Sequence, residues 1–246
     1  MTRRTIIQGA AALAAAPVKA DAPLQIGLLV FPRITQLDVT GPFEVFSRLS
    51  NAKVHLVWKS REVVLSDSGL ALQPTASFSE CPQLDVVLVP GGPGQIALMD
   101  DEATLAFLRT QAKGVQWITS VCTGSLVLGA AGLLKGYKSA CHWMSRDQLA
   151  ELGAEPLNQR VVIDRNHASG GGVTAGIDFA LKLASLLRSE EEAKMIQLQI
   201  EYNPAPPFDA GSPEKAPEVA ALLRKRAEPM MKARREATAR AKARLG

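Results

Sequence analysis

A chain of 246 residues, 47% apolar and 21% charged, is long enough to bury a full core and suits one α/β domain or two small ones. No apolar run approaches the roughly eighteen residues of a membrane span, and the three cysteines and three histidines are too scattered for a disulfide framework or a metal site, so none is predicted. The net charge of +4 sits at the end: from Arg224 to Arg244 nine Lys or Arg face two Glu, a local balance of +7 that leaves about −3 elsewhere. With no aromatic residues among those charges, the run reads as a solvated helix face and not as a nucleic-acid surface.

Residues 1–20 read as a twin-arginine-type export signal. Arg3 and Arg4 precede Ile6 and Ile7, a weakly hydrophobic alanine-rich stretch follows, and Val18-Lys19-Ala20 offers a small-residue cleavage site. The expectation is a periplasmic protein exported already folded. The alternative is a disordered arm on a cytoplasmic one. Residues 24–31, L-Q-I-G-L-L-V-F, form a near-continuous apolar run and predict a first buried strand, ended by Pro32. A loop leads to D-V-T-G-P-F-E-V-F, where Thr40 as N-cap and Pro42 in the first turn predict a helix to about Leu49. Asp38 lies just before that helix, and local capping is its ordinary role.

Residues 54–58 predict a second strand, and residues 62–72 a short β excursion turning at Asp67-Ser68-Gly69. The run from Leu84 enters Gly91-Gly92-Pro93-Gly94, a strand leading into a loop whose glycines let backbone N–H groups approach a ligand. It is not G-x-G-x-x-G and lacks the Lys-Ser/Thr of a phosphate loop, so no nucleotide is expected. Residues 104–113 predict a helix.

Residues 115–121 are apolar and β-prone, and the small apolar residues from Leu126 on predict a buried helix. Cys122 stands at the turn between them, with Ser120 two before and Gly124 two after. That is the small-x-nucleophile-x-small pattern of a nucleophile elbow, with Cys in the Ser position. A thiol at a helix N-terminus predicts a low-pKa nucleophile, against the plainer reading of one more small buried hydrophobe.

Downstream, residues 139–143 read as a partly buried segment, 146–152 as a helix closed by Gly153, and 160–164 as a strand followed by H-A-S-G-G-G-V-T-A-G-I-D. Thr174 caps a helix over 175–187, and Ser189 opens another, acidic in its first turn, to near Tyr202. A proline-rich loop precedes a charged helix over 218–245, broken or kinked at Pro229, with Leu222, Leu223, Met230 and Met231 as its packing side. Alternating strands and helices predict an α/β fold, a doubly wound, mostly parallel sheet with helices on both faces over residues 24–213. Residues 214–246 then form a charged C-terminal helical extension. In such sheets the carboxyl ends of the strands share one crevice. Asp38, Gly91-Gly92 and Cys122 all follow strands and converge there, which raises Asp38 from cap to catalytic candidate.

Five stretches in this order, Q-L-D-V-T-G-P, P-G-G-P-G, T-S-V-C-T-G-S-L-V-L-G-A-A-G-L-L, G-G-G-V-T-A-G-I-D-F-A-L and E-Y-N-P-A-P-P-F-D-A-G-S-P, resemble the ThiJ/PfpI superfamily over nearly all of residues 25–245. The last resembles its isonitrile-hydrating branch. The resemblance implies a flavodoxin-like fold, a homodimer with active sites near the interface, a small isonitrile substrate, no cofactor, and catalysis by Cys122, Thr123 and Asp38. The protease-like branch carries His after the Cys, so Thr123 argues against a peptidase. Pro93 and Cys141 stand where Thr or another polar residue is expected, which bears on substrate range.

The implied chemistry is attack of a Cys122 thiolate on the isonitrile carbon with Asp38 handling the proton. A thioimidate forms, and water then releases an N-substituted formamide. Thr123 holds water or substrate or simply caps its helix, and its N–H with that of Gly92 forms an anion-stabilising pair. His142 and Asp178 are read as structural. The alternatives are a thiol enzyme of the same fold acting on an aldehyde or amide, and a non-catalytic thiol sensor. A fused DNA-binding half would need on the order of a hundred residues, more than follow Pro213.

Overall fold

The computed structural model describes residues 22–246, so the expected export signal lies outside the described residues. In chain order the fold runs β1 (Leu24–Leu29), α1 (Gln36–Phe46), β2 (Ala52–Trp58), the antiparallel pair β3 (Val64–Leu65) and β4 (Ala71–Leu72), β5 (Ala76–Ser77), β6 (Val86–Val89), α2 (Gln95–Leu98) and α3 (Glu102–Gln111). It continues through β7 (Trp117–Val121), α4 (Gly124–Ala130), β8 (Lys138–Ser139), a 3-10 helix over Arg146–Leu152, β9 (Glu155–Pro156), β10 (Val161–Asp164), β11 (His167–Gly170), α5 (Ala175–Leu187), α6 (Glu190–Gln199) and α7 (Pro217–Leu245).

Seven strands form one sheet in the order β10-β11-β7-β6-β1-β2-β5, parallel except for β10 against β11. The central strands read as continuous apolar runs because both faces are covered, and every residue of β6 is buried. Helices α1, α5 and α6 pack together as one layer, and α2, α3, α4 and α7 as the other. Phe46 of α1 and Phe179 of α5 meet edge to face at 6.1 Å and are both fully buried, which locks the first layer. The chain leaves β1 in one direction and β6 in the other. The crevice outside their carboxyl ends is the switch point where such sheets place ligands.

Three elements differ from the sequence-based expectation. Helix α1 begins at Gln36, so Asp38 lies within its first turn and not before it. Thr40 is not the N-cap: its hydroxyl donates to the Gln36 carbonyl at 3.0 Å, one turn back. Pro42 sits inside the helix, and its missing N–H leaves the Asp38 carbonyl without its usual helical donor. The stretch after residue 166, to which the sequence reading gave no element, is β11, whose small buried residues pair in parallel with β7, from His167 opposite Ile118 to Gly170 opposite Val121.

Helix α7 runs unbroken through Pro229, which is exposed, so water can satisfy the carbonyl that the proline leaves free. Its buried face is Ala220, Arg234, Ala237, Thr238 and Ala241, while Leu222 and Leu223 face outward. Small side chains let the helix approach the body closely, and Arg240 and Arg244 both bind the Asp100 carboxylate at 2.7 Å. Among the described residues no helix is long and apolar enough to cross a membrane, and no group of three or more metal-binding side chains comes together.

Candidate active site

The register of two strands sets the site. Val89 of β6 pairs with Ser120 of β7, so Gly91 and Cys122, each two residues on, emerge at the same level. Cys122 has φ +58°, the left-handed region in which a non-glycine residue stores on the order of 1–2 kcal/mol of strain. Neighbours hold it there. Its N–H donates to the Gly170 carbonyl at 2.9 Å, and its own carbonyl accepts from the Ser125 hydroxyl at 3.2 Å. Gly124 admits no side chain, since a Cβ there would sit 1.9 Å from the Val89 carbonyl oxygen.

Asp38 is fully buried opposite the elbow. It occupies the third position of α1, from which an acid usually reaches back to the N-cap N–H. Here the Thr35 N–H donates to the Gly91 carbonyl at 3.1 Å, and the carboxyl turns to the Gly91 N–H, accepting it on Oδ2 at 2.9 Å. The second oxygen, Oδ1, has no hydrogen-bond partner. The Cys122 thiol lies close enough to influence the carboxyl, yet not in a geometry that satisfies Oδ1. Burial pushes the Asp38 pKa up to about 7, against the lowering effects of the Gly91 N–H and the thiol.

Thr123 is nearly fully buried at the N-cap of α4, and its hydroxyl makes no cap bond. Oγ1 instead accepts the Gly92 N–H at 3.2 Å. The Gly92 amide is therefore engaged, and the expected pairing of the Gly92 and Thr123 N–H groups around an anion is not the resting arrangement. The Thr123 N–H lies on the side of the Cys122 sulfur and favours its anion. With Oγ1 already accepting, the Thr123 O–H is left to donate into the site.

The buried setting works against the expected low-pKa thiol. Burial raises the Cys122 pKa well above its ordinary value, the Asp38 and Cys141 charges add to that, and the Thr123 N–H offsets only part of it. Against the dipole of a seven-residue helix stands the loss of water around a residue that is only 5% exposed. The resting site therefore carries its proton on sulfur and holds a carboxyl that titrates near neutrality beside it.

A cavity of about 410 Å³ adjoins the elbow, bounded by Cys141, His142, Trp143, Arg146, Arg160 and the Gly171–Ala175 turn. A larger hollow of about 640 Å³ runs along α7 between Met144, Arg224 and Arg235, with no nucleophile in its walls. The first reaches the elbow through Gly171, which follows the Gly170 whose carbonyl accepts the Cys122 N–H. Cys141 is buried in its wall, with its thiol pushed up to about 11 by desolvation. His142 is held neutral, its pKa lowered to about 4 chiefly by burial. Asp178 accepts from Arg160 Nε at 2.5 Å and from the Tyr202 hydroxyl at 3.0 Å, a bonding role away from Cys122.

Two groups near the site escaped the sequence reading. Gln95, fully buried, and Arg234, 3% exposed, bond to each other at 2.9 Å behind the glycine loop. Arg234 sits in a basic run whose other members are largely exposed, and its spacing alone does not separate it from them.

A model of the DJ-1/PfpI family matches residues 25–186. The chain is 56% identical over 223 residues to the isonitrile hydratase of Pseudomonas putida, covering 90% of this chain and 98% of that one. It is 33% identical over 171 residues to the HTH-type transcriptional regulator GbdR of Pseudomonas aeruginosa, covering 65% of this chain and 46% of the regulator. A crystal structure of a ThiJ/PfpI family protein from Pseudomonas syringae superposes with a TM-score of 0.86 at 43% identity, over 92% of this chain and 98% of that one.

Proposed function

The chain belongs to the DJ-1/PfpI family, and we propose that it is an enzyme that hydrates isonitriles to N-substituted formamides. The observation that carries the reading is the buried Cys122–Asp38 pair. A strained elbow presents the sulfur, and a carboxyl with one free oxygen and a pKa of about 7 stands beside it. The 56% identity to the Pseudomonas putida hydratase supports the substrate class.

Asp38, as carboxylate, takes the proton from the Cys122 thiol as sulfur attacks the terminal carbon of R–N≡C. It returns that proton to the same carbon, giving the thioimidate R–N=CH–S–Cys122. A pKa near the working pH suits a group that must accept and release a proton in one cycle. Water, held by the Thr123 hydroxyl, then attacks the carbon. Its proton passes to Asp38 and from Asp38 to nitrogen, giving R–NH–CH(OH)–S–Cys122 and leaving Asp38 a carboxylate again. The C–S bond breaks, the hydroxyl proton returns to sulfur by way of Asp38, and R–NH–CHO leaves. The sum is one isonitrile plus one water to one formamide, with no cofactor. Covalent attachment divides one difficult hydration into two easier additions.

The test is formamide production from simple alkyl and aryl isonitriles. Turnover that requires Cys122 and Asp38 supports the reading, and turnover of glyoxals with none of isonitriles replaces it with an aldehyde chemistry of the same thiol. For assembly, the reading is a homodimer, for which outward-facing Val219, Leu222 and Leu223 on α7 offer apolar surface. Light scattering giving a monomer mass would remove that claim. Arg3-Arg4 and the stretch after them support export to the periplasm, which recovery of the protein in the cytoplasmic fraction alone, with its N-terminus intact, would exclude.

A further inference from the structure

We propose that Arg234 is a positioning residue for this site, a buried cation that favours the anionic form of Cys122 when the thiol gives up its proton. The inference rests on the reading above only in taking Cys122 as the reacting thiol.

Arg234 is 3% exposed on the inner face of α7, and among the described residues no carboxylate lies within ion-pairing distance of it. Its partners are neutral. Nε donates to Gln95 Oε1 at 2.9 Å and Nη1 to Ser145 Oγ at 3.0 Å, both on fully buried residues, and the remaining contacts are the sulfurs of Met230 and Met231. A buried guanidinium without a counter-ion is costly, because the desolvation is not returned as attraction. An anchor for α7 does not need one. The same helix is already tied by Arg240 and Arg244 to Asp100, at the surface.

The bonds of Arg234 lead to the elbow. Gln95 opens α2, and its N–H donates to the Gly92 carbonyl at 3.2 Å; the Gly92 N–H in turn donates to Thr123 Oγ1, beside Cys122. Ser145 donates its N–H to the His142 carbonyl at 2.9 Å, next to Cys141. Arg234 thus stands behind both buried thiols. Its charge lowers the Cys141 thiol and the His142 ring, and anionic forms of Cys122 and Cys141 would in turn hold its own proton more firmly. Cys122 is faced by Asp38 from α1, Cys141 from the segment after β8 and the Thr123 N–H from its own turn; Arg234 stands behind them on α7, joined to the elbow through Gln95 and Gly92. Cys141 is faced in addition by Arg146, and Asp38 by Asp67. Among these, Arg234 is the charge that Cys122 would complement on ionising. Burial keeps the thiol neutral at rest, so the cation goes without an anion until sulfur attacks, and again when the C–S bond breaks.

The test uses the full chain and needs no isonitrile, so its outcome is separate from that of the substrate assignment. The rate of Cys122 alkylation by iodoacetamide is followed from pH 6 to 11 by peptide mass, which distinguishes Cys122 from Cys81 and Cys141. Arg234→Met is expected to move the inflection up by about one pH unit and to slow alkylation about tenfold below it, with Arg234→Lys recovering most of the rate. Gln95→Glu keeps the guanidinium anchored but gives it a carboxylate, and is expected to move the inflection upward as well. An unchanged inflection in folded Arg234→Met overturns the proposal. If that variant does not fold, an unchanged inflection in Gln95→Glu overturns it, because a purely structural anchor would only be strengthened by the added charge.

Discussion

Gly91 donates its N–H to Asp38 Oδ2 at 2.9 Å, and a Cβ placed on Gly91 would lie 2.9 Å from that same oxygen and 2.6 Å from the Thr123 nitrogen. The residue that orients the carboxyl must therefore be a glycine. Gly91→Ala is expected to destabilise the fold by about 1–3 kcal/mol through overpacking. Because the clash falls on Asp38 and Thr123 together, it is also expected to lower kcat/KM at least about tenfold. Urea melts and steady-state rates check both, and a folded variant of parental activity would remove Gly91 from the site.

Asp38→Asn keeps the shape and removes the proton carrier. Its kcat is expected to fall about 10²- to 10⁴-fold, the usual worth of a general acid–base. Its stability should also shift with pH in a defined direction. The Asp38 pKa is about 7 in the fold and 3.8 for the free side chain, so the native state binds more protons between those values. Parent stability therefore falls as pH rises from about 4 to 7, by on the order of 4 kcal/mol at most. The melting temperature of Asp38→Asn relative to parent should climb over that interval and level off above it.

Two buried histidines act with the opposite sign. His142 and His167 both titrate near pH 4 in the fold, chiefly because burial opposes their charge. The neutral His167 ring donates Nδ1–H to the Ile118 carbonyl at 2.9 Å and accepts from Ser139 at Nε2 at 3.0 Å. Below pH 6.5 the unfolded chain takes up protons that the fold refuses, so stability is lost as pH falls toward 4. In the Asp38→Asn background, which removes the opposing carboxyl, the acid limb should carry a slope of at least about two protons, because burial lowers His55 in the same direction. Replacing His167 by Gln should reduce that slope by about one.

Asp100 serves both Arg240 and Arg244 and fastens the last turns of α7. The pairs are half-exposed, so Asp100→Ala is expected to cost only about 1 kcal/mol in all. Amide exchange should quicken over residues 238–245, while the turn around Arg234, held by Gln95 and Ser145, should keep its protection.

The parts that could be read from the chain are those written in contiguous residues. The apolar runs of β1, β6 and β7 and the small residues flanking Cys122 specify a parallel sheet and an elbow without reference to anything distant. The start of α1 is not legible locally because Thr40 and Pro42 imitate a helix start, while Thr35, the actual N-cap, makes no side-chain cap bond. The His167–Gly170 strand is hidden by small residues that also suit a loop, and only its place beside β7 makes it a strand. For the Cys122 thiol a helix N-terminus is visible locally, whereas its burial and the nearby Asp38 and Cys141 come from distant parts of the chain. Arg234 was lost among basic residues, since nothing local distinguishes the inward-facing member.

The central claim is that Cys122 sulfur bonds to the isonitrile carbon. The most direct measurement is peptide mass after mixing the protein with excess isonitrile and quenching within one turnover. The mechanism predicts an adduct of the full isonitrile mass on the peptide containing Cys122, formed and consumed as formamide appears, and neither adduct nor formamide with Cys122→Ala. Formamide produced at the parental rate by Cys122→Ala would contradict it.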